Sequence, residues 1–266
     1  MMNVTIALGQ MDVQLGEPER NWQTVVAMAA AAAARQADIL VLPELWSTGY
    51  DLENAAAYVT PTDQGIFARV ADLARQHHLH ILGSCLSLMG ANRFGNTAVW
   101  FDPLGQNLAT YSKIHLFRLM AEEQFLTAGE KLAMLTTPWG KAGLAICYDL
   151  RFPEMFRAYA LAGARLVFLP SEWPHPRLAH WQTLVRGRAI ENQMFLIACN
   201  RVGTSKNSHF FGHSCIIDPW GETVIEGDES PQLLVATINT ALVDTVRAKI
   251  PVFADRRPEL YEMRDA

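Results

Sequence analysis

The chain has 266 residues, of which 50% are hydrophobic and 18% are charged, and its formal net charge is −5. It can therefore bury a large core, and the lack of a lysine or arginine block argues against a nucleic-acid or anionic membrane partner. The N-terminal sequence has neither a basic segment nor a long apolar segment, so we expect no signal peptide. The apolar run at 25–34 is short and alanine-rich, which favours a packed helix over a membrane span.

Apolar and polar segments predict alternating strands and helices along the whole chain. The predicted strands are 4–11, 38–42, 79–87, 96–101, 108–112, 132–136, 141–146, 165–169, 194–199, 212–218, 223–226 and 233–238. The predicted helices are 21–36, 61–78, 153–162, 179–192 and 239–249. This alternation indicates α/β layers, and no linker composition or short repeat divides the chain, so we expect a single domain.

The cysteines are widely spaced, form no CxxC motif and lie in or beside hydrophobic stretches. A disulfide framework is not expected in a chain of this size. We therefore predict reduced thiols and a cytoplasmic location. The four positions are Cys85, Cys147, Cys199 and Cys215.

The segment 143–154, GLAICYDLRFPE, contains a cysteine at the end of an apolar run. The run predicts a buried strand, and the polar residues after Cys147 predict a turn followed by a helix. The thiol would then lie at the carboxyl end of a strand, where open α/β sheets bind ligands, and near a helix N-terminus, which helps to stabilise a thiolate. On this segment alone, a buried cysteine that acts as a small hydrophobe fits equally well.

Two other junctions between a strand and a loop carry a reactive side chain. Glu44 follows Pro43, which cannot donate a hydrogen bond to a central strand, and Lys113 follows the strand 108–112. Either could be an ordinary surface residue, but together with Cys147 they fit acyl transfer. A cysteine attacks an acyl carbon, a carboxylate takes the thiol proton and later activates water, and an ammonium stabilises the oxyanion. This chemistry requires neither a cofactor nor a metal, and we predict none.

Three motifs, in this order and spacing, resemble the nitrilase, or carbon–nitrogen hydrolase, superfamily from end to end. They are Leu42-Pro43-Glu44, 111–116 (YSKIHL) and 147–154 (CYDLRFPE). The resemblance implies one domain over 1–266 with a four-layer α-β-β-α sandwich. It also implies a homodimer, or a higher homo-oligomer, in which protomers pair through helices. The segment 250–266 is then interpreted as a C-terminal tail that packs on a partner subunit.

The resemblance also implies roles for individual residues. Glu44 would be the general base, Lys113 the oxyanion stabiliser and Cys147 the nucleophile. The backbone N–H of Tyr148 would complete the oxyanion hole. The family has one more active-site glutamate some seven residues before a glycine; Glu122 stands at that distance from Gly129, and Glu123 is the alternative.

The ω-amidase branch, which deaminates 2-oxoglutaramate and 2-oxosuccinamate, is the branch that CYDLRFPE resembles most. The hypothesis is therefore a cysteine-dependent amidohydrolase that cleaves a small non-peptide amide through a thioester and releases ammonia. Arg151 is the candidate anchor for the substrate carboxylate, since arginine suits a planar carboxylate, although a structural pairing with Glu154 or another acid fits as well. Trp173 is predicted to line the pocket, with core packing as the alternative.

Other functions remain open at this stage. A general aliphatic amidase or a nitrilase would use the same residues, and a non-catalytic binding protein could keep the same fold. A Cys–His hydrolase is disfavoured because Cys147 lacks the flanking glycines of a GxCxG elbow. Small-molecule amide and water are the expected substrates, with no nucleic-acid or membrane partner.

Overall fold

The computed structural model describes residues 2–261, and the last five residues of the predicted tail lie outside this range. Its strands are β1 Asn3–Gln10, β2 Ile39–Val41, β3 His80–Gly90, β4 Arg93–Phe101, β5 Asn107–Ser112, β6 Ala133–Thr137, β7 Gly140–Leu144, β8 Ala164–Ser171, β9 Phe195–Asn200, β10 Val202–Ser205, β11 Ser208–Phe211, β12 Cys215–Ile217, β13 Thr223–Glu226 and β14 Gln232–Asn239. Its α-helices are α1 Pro18–Ala34, α2 Ala55–Tyr58, α3 Gly65–His77, α4 Glu122–Phe125, α5 Pro153–Leu161, α6 Leu178–Asn192 and α7 Leu242–Lys249.

Two six-stranded sheets form the centre of the molecule, in the orders β14-β1-β2-β3-β4-β5 and β13-β12-β9-β8-β7-β6. The strands that lead to Glu44 and Lys113, β2 and β5, belong to the first sheet, and β7, which leads to Cys147, belongs to the second. β2 pairs in parallel with β1 and β3, and β8 pairs in parallel with β7 and β9. The carboxyl ends of these parallel strands therefore meet at one edge of each sheet.

The layers follow from side chains that alternate between the two faces of a strand. In the first sheet, Ile6 and Val41 belong to the core shared with the second sheet, whereas Ala7 and Leu40 belong to a separate core with α1 and α3. On the other side, α5 and α6 pack on β8 and β9. The predicted four-layer α-β-β-α sandwich in a single domain is confirmed.

Two local predictions needed correction. The predicted strand 141–146 ends at Leu144, and Cys147 instead begins a 3-10 helix, Cys147–Arg151, with a positive φ of 45°. The hairpin of β10 and β11 was not predicted, because its strands are only four residues long and polar side chains interrupt them. Both differences affect the site. The 3-10 helix carries the Cys147 thiol, and the hairpin of β10 and β11 directly follows Arg201.

Within residues 2–261, no helix is long and apolar enough to cross a membrane.

Candidate active site

The reactive residues predicted from the sequence lie at the ends of strands that face one another across the sandwich. Glu44 follows β2 by three residues, Lys113 follows β5 directly, and Cys147 follows β7 by three residues. All three are buried, and the side chains of Glu44 and Lys113 have no exposed surface. The positive φ of Cys147 is a conformation that non-glycine residues rarely adopt, and such strain collects at functional sites.

A lysine held between two carboxylates forms the centre of the site. Lys113 Nζ lies 2.7 Å from Glu44 Oε1 and 2.7 Å from Glu122 Oε2. Glu122 begins α4 and is buried, whereas the neighbouring Glu123 is exposed. The structure therefore brings Glu122, and not Glu123, into the site. A charge buried without a partner would be very costly, so each member of this cluster stabilises the others.

Neutral donors complete the surroundings of Glu44. The Tyr50 hydroxyl donates to Glu44 Oε1 at 2.8 Å, and Asn96 Nδ2 donates to the same oxygen at 2.7 Å. The backbone N–H of Glu172 donates to Glu44 Oε2 at 2.9 Å. These donors fix the orientation of the carboxylate with respect to the thiol, and they were not identified from the sequence.

Burial and neighbouring charges determine the protonation states of Cys147 and Lys113. Burial raises the pKa of the Cys147 thiol well above its usual range, and the nearby Glu44 carboxylate raises it further, whereas Lys113 lowers it. Burial alone would lower the pKa of Lys113, but the carboxylates of Glu122 and Glu44 outweigh it and raise that pKa. The resting site therefore holds a neutral thiol beside an ammonium ion, and the thiol has to lose its proton during attack.

Burial also raises the pKa of Glu122, against the opposing effect of Lys113. The Glu44 carboxylate adds to this increase, because two negative charges beside one ammonium repel each other.

The loop that carries Cys147 is held by Asp149. The Asp149 carboxylate accepts hydrogen bonds from the Ile146 backbone N–H at 2.8 Å and from the Tyr111 hydroxyl at 2.6 Å. It also lies 2.7 Å from His115 Nδ1. His115 thus supports the loop, and no hydrogen bond between His115 and Lys113 forms among the described residues.

A narrow, partly open cavity lies next to the thiol. All three residues predicted to bind substrate, Tyr148, Arg151 and Trp173, line it together with Cys147. The sequence had not identified its other lining residues, which are Phe117, Glu172, Pro174 and Arg177.

Arg151 and Trp173 contact each other at the wall of this cavity. The Arg151 guanidinium lies 4.9 Å from the Trp173 ring centroid, and it is 3.3 Å from His180 Nδ1. No ion pair with Glu154 forms among the described residues, so the structural pairing considered for Arg151 is not observed. The Trp173 indole N–H is buried and has no hydrogen-bond partner among the described residues.

One cluster outside this cavity has metal-ligand chemistry. Ligand atoms of His175, His209 and Glu229 lie within 4.8 Å of one another. His175 is 3.3 Å from Glu229 and its ring stacks on His209, so these contacts account for the cluster. It contains none of the residues of the proposed chemistry.

Comparison with known proteins agrees with this geometry. The family model for carbon–nitrogen hydrolases matches residues 5–248. A 2-oxoglutaramate amidase of Bacillus subtilis is 38% identical over 260 residues, which are 98% of this chain and 100% of that protein. A CN-hydrolase superfamily protein of Xanthomonas campestris, solved with an arsenic adduct in its active site, has a TM-score of 0.90 at 29% identity and covers 100% of both chains.

A third similar protein shows a modified cysteine. It is an amidase variant of Nesterenkonia sp. AN1, which carries the acetamide moiety of fluoroacetamide covalently added at its active-site cysteine. Its TM-score is 0.86 at 30% identity, with coverage of 97% of this chain and 95% of that one. The family match extends over nearly the whole chain, and the chain therefore belongs to the carbon–nitrogen hydrolase family.

Proposed function

We propose that this carbon–nitrogen hydrolase is an ω-amidase, which converts 2-oxoglutaramate or 2-oxosuccinamate into the 2-oxo acid and ammonia. The observation that carries the proposal is the composition of the small cavity. It joins the Cys147 thiol, next to the buried Glu44–Lys113–Glu122 cluster, to the cationic side chains of Arg151 and Arg177.

In the first step, Glu44 accepts the thiol proton as Cys147 Sγ forms a bond to the amide carbon. The ammonium of Lys113 and the backbone N–H of Tyr148 stabilise the oxyanion. Glu44 then returns its proton to the amide nitrogen, the C–N bond breaks, and ammonia leaves a thioester on Cys147. The neutral resting state of the thiol supports this order, because a base is needed for attack.

In the second step, water attacks the thioester carbon while Glu44 takes a proton from that water. The C–S bond then breaks and the proton returns to sulfur, which regenerates the thiol. Glu122 forms the second ion pair of Lys113, which holds the ammonium in place and keeps it charged. Tyr50 and Asn96 hold the Glu44 carboxylate in one orientation through both steps.

The substrate assignment depends on charge at the far side of the cavity. An ω-amide of a 2-oxo dicarboxylic acid carries a carboxylate at the end opposite the amide, and arginine binds a carboxylate with two parallel hydrogen bonds. Arg151 and Arg177 both line the cavity and both are half-buried. The similarity to a 2-oxoglutaramate amidase supports the same substrate class.

Ammonia release from a panel of amides and nitriles tests the proposal, with the wild-type protein and Cys147→Ala compared. We expect 2-oxoglutaramate to have the highest kcat/KM and Cys147→Ala to release no ammonia above background. Higher kcat/KM for short aliphatic amides or nitriles would favour a general amidase or nitrilase. A complete lack of turnover would favour a non-catalytic binding protein.

We also propose that the protein is a homodimer or a higher homo-oligomer. A surface groove of about 480 Å³ runs along α6 and β12, and it is lined by Trp181, Ile190 and Ile217 among others. Apolar side chains are exposed nearby, including Leu161 and Ile190, so this helical face suits a second copy of the chain. The tail from 250 onward, which exposes Ile250, Leu260 and Tyr261, would pack on that copy. Sedimentation equilibrium measures the mass, and a monomer would contradict this proposal.

We further propose that the protein is located in the cytoplasm. The cysteines of the described chain are all free and buried, which fits a reducing compartment. Fractionation of cells that express the protein would test it.

A further inference from the structure

Glu172 is a buried acid beside the nucleophile. Its side chain has no role in the two-step reaction above, in which only its backbone N–H contributes, by holding Glu44. It follows β8 directly and lines the cavity together with Cys147. Its backbone N–H binds Glu44 and also lowers the pKa of the Cys147 thiol, so this residue lies next to both reacting groups. Its side chain has no exposed surface.

The two carboxyl oxygens of Glu172 differ in their surroundings. Oε2 accepts a hydrogen bond from Arg201 NH1 at 3.3 Å. Arg201 is itself held by the backbone carbonyls of Val202 and Val13 and by the ring of Phe210, so it cannot follow a ligand into the cavity. Oε1 is buried and has no hydrogen-bond partner. An unpaired buried polar atom is costly in a folded protein, and a group that occupies the cavity would relieve this cost.

We propose that Glu172 is a specificity-determining residue, whose free Oε1 forms a hydrogen bond with an oxygen of the 2-oxo-acid half of the substrate. This inference rests on the proposed function, since it assigns a partner to the part of the substrate beyond the scissile amide.

The direction of the hydrogen bond follows from the charges around the carboxyl group. Burial and the Glu44 carboxylate raise the pKa of Glu172 to about 8, although Arg201 and Lys113 oppose the change. At neutral pH the group is therefore a neutral acid, and the oxygen that Arg201 does not bind can carry the proton and donate it. The other polar groups at the cavity, the Trp173 indole N–H and the two arginines, are also donors. Such a cavity favours a ligand that is rich in acceptor oxygens.

The same charges predict a pH dependence of ligand binding. The titratable groups that face Glu172 or share its cavity are Glu44, Tyr50, Lys113, Cys147, Tyr148, Arg151, Arg177 and Arg201, and Cys147 is absent from the Cys147→Ala protein used below. Lys113 stays charged between pH 7 and 9, because its carboxylate neighbours raise its pKa. Loss of the Glu172 proton above about pH 8 removes the donor and adds a negative charge, so an oxo-acid ligand should bind more weakly there.

Calorimetric titration of 2-oxoglutarate into Cys147→Ala protein tests the inference without requiring turnover. In that background, Glu172→Ala should raise Kd about tenfold, as expected when one buried hydrogen bond is lost. Glu172→Gln keeps an oxygen for Arg201 and supplies an N–H donor that does not titrate, so its Kd should stay within about threefold and should not increase from pH 7 to 9. Glu123→Gln, at the exposed neighbour of Glu122, is the matched control and should have no effect.

Three outcomes would overturn the inference. The Kd could be unchanged in Glu172→Ala, or the increase with pH could persist in Glu172→Gln. Alternatively, Glu172→Ala could weaken butyrate, which lacks the 2-oxo-acid half, as much as it weakens 2-oxoglutarate, which would indicate a structural role only. If binding depends on Glu172 but the wild-type protein releases no ammonia from 2-oxoglutaramate, the inference stands and the proposed function fails. If the wild-type protein releases ammonia from 2-oxoglutaramate but ligand binding does not depend on Glu172, the proposed function stands and the inference fails.

Discussion

Lys113 Nζ lies 2.7 Å from Glu44 Oε1, and neither side chain is exposed to solvent. The two residues come from the ends of different strands, β2 and β5, and are 69 positions apart in the chain. Because Glu122 contacts the same ammonium from another side, the cluster has one positive charge for two carboxyl groups. Its protonation and its stability are therefore linked, and replacing a single member should change both.

Lys113→Ala should reduce stability and activity together. Removing one partner of a buried ion pair leaves an uncompensated charge, which we expect to lower the free energy of unfolding by about 3–5 kcal/mol. Loss of the oxyanion stabiliser should also lower kcat on the order of 10²–10³-fold. Urea denaturation and steady-state ammonia release measure the two effects. Unchanged kcat in a folded variant would show that Lys113 has no part in the reaction.

Glu122→Gln and Glu123→Gln form a matched pair at adjacent positions. Glu122 Oε2 is 2.7 Å from Lys113 Nζ, whereas Glu123 is exposed. Glu122→Gln should lower kcat by at least about tenfold, since Lys113 loses one of its two carboxylates. Glu123→Gln should stay within about twofold of wild type. Equal effects at the two positions would contradict the assignment of Glu122 to the site.

Arg151→Ala should raise KM for amides that carry a distal carboxylate and leave KM for other amides nearly unchanged. If the guanidinium binds the distal carboxylate, KM for 2-oxoglutaramate should increase roughly 10–100-fold, the range of one charge-assisted contact. Butyramide has no such carboxylate, so its KM should change little. Arg20→Ala, at an exposed arginine outside the cavity, is the charge-matched control. An equal increase in KM for both substrates would indicate a general packing role beside Trp173.

Because its thiols are buried, the folded protein should lose stability at alkaline pH. Burial raises the pKa of Cys85 from 9.0 to about 12. The unfolded chain ionises this thiol above about pH 9 while the folded protein keeps it neutral, so stability present below pH 9 is lost as the pH rises toward 12. The slope is at most about 1.4 kcal/mol per pH unit for one thiol. Urea denaturation from pH 8 to 11 should show a shallower decrease for Cys85→Ala than for wild type, and equal slopes would contradict the assignment.

The sequence predicted those features that depend on local patterns. Pro43 ends a strand and exposes Glu44 at its carboxyl end, and the apolar run before Cys147 placed the thiol at the corresponding edge of the other sheet. The alternation of strands and helices indicated α/β layers, whereas the four-layer arrangement was predicted from the resemblance to the carbon–nitrogen hydrolase superfamily. The spacing to Gly129 that the family resemblance implied favoured Glu122 and left Glu123 as the alternative, and in the folded chain Glu122 is the buried one of the two.

Features that depend on distant contacts could not be read from the sequence. Asn96 opens an ordinary strand segment, and only the folded chain brings its amide to Glu44, 52 positions away. Tyr50 is one of several polar loop residues until its hydroxyl is seen between Glu44 and Glu122. The pairing of Glu172 with Arg201 joins the ends of two adjacent parallel strands, and no local pattern indicates that one carboxyl oxygen remains unpaired.

Mass spectrometry of the acyl-enzyme shows directly whether Cys147 carries the acyl group of the substrate as a thioester. The wild-type protein is mixed with 2-oxoglutaramate, quenched in acid within the first turnovers, and digested. We expect an adduct equal to the substrate minus ammonia on the peptide that contains Cys147, with no adduct and no ammonia release in Cys147→Ala. Ammonia release that persists in Cys147→Ala would contradict it.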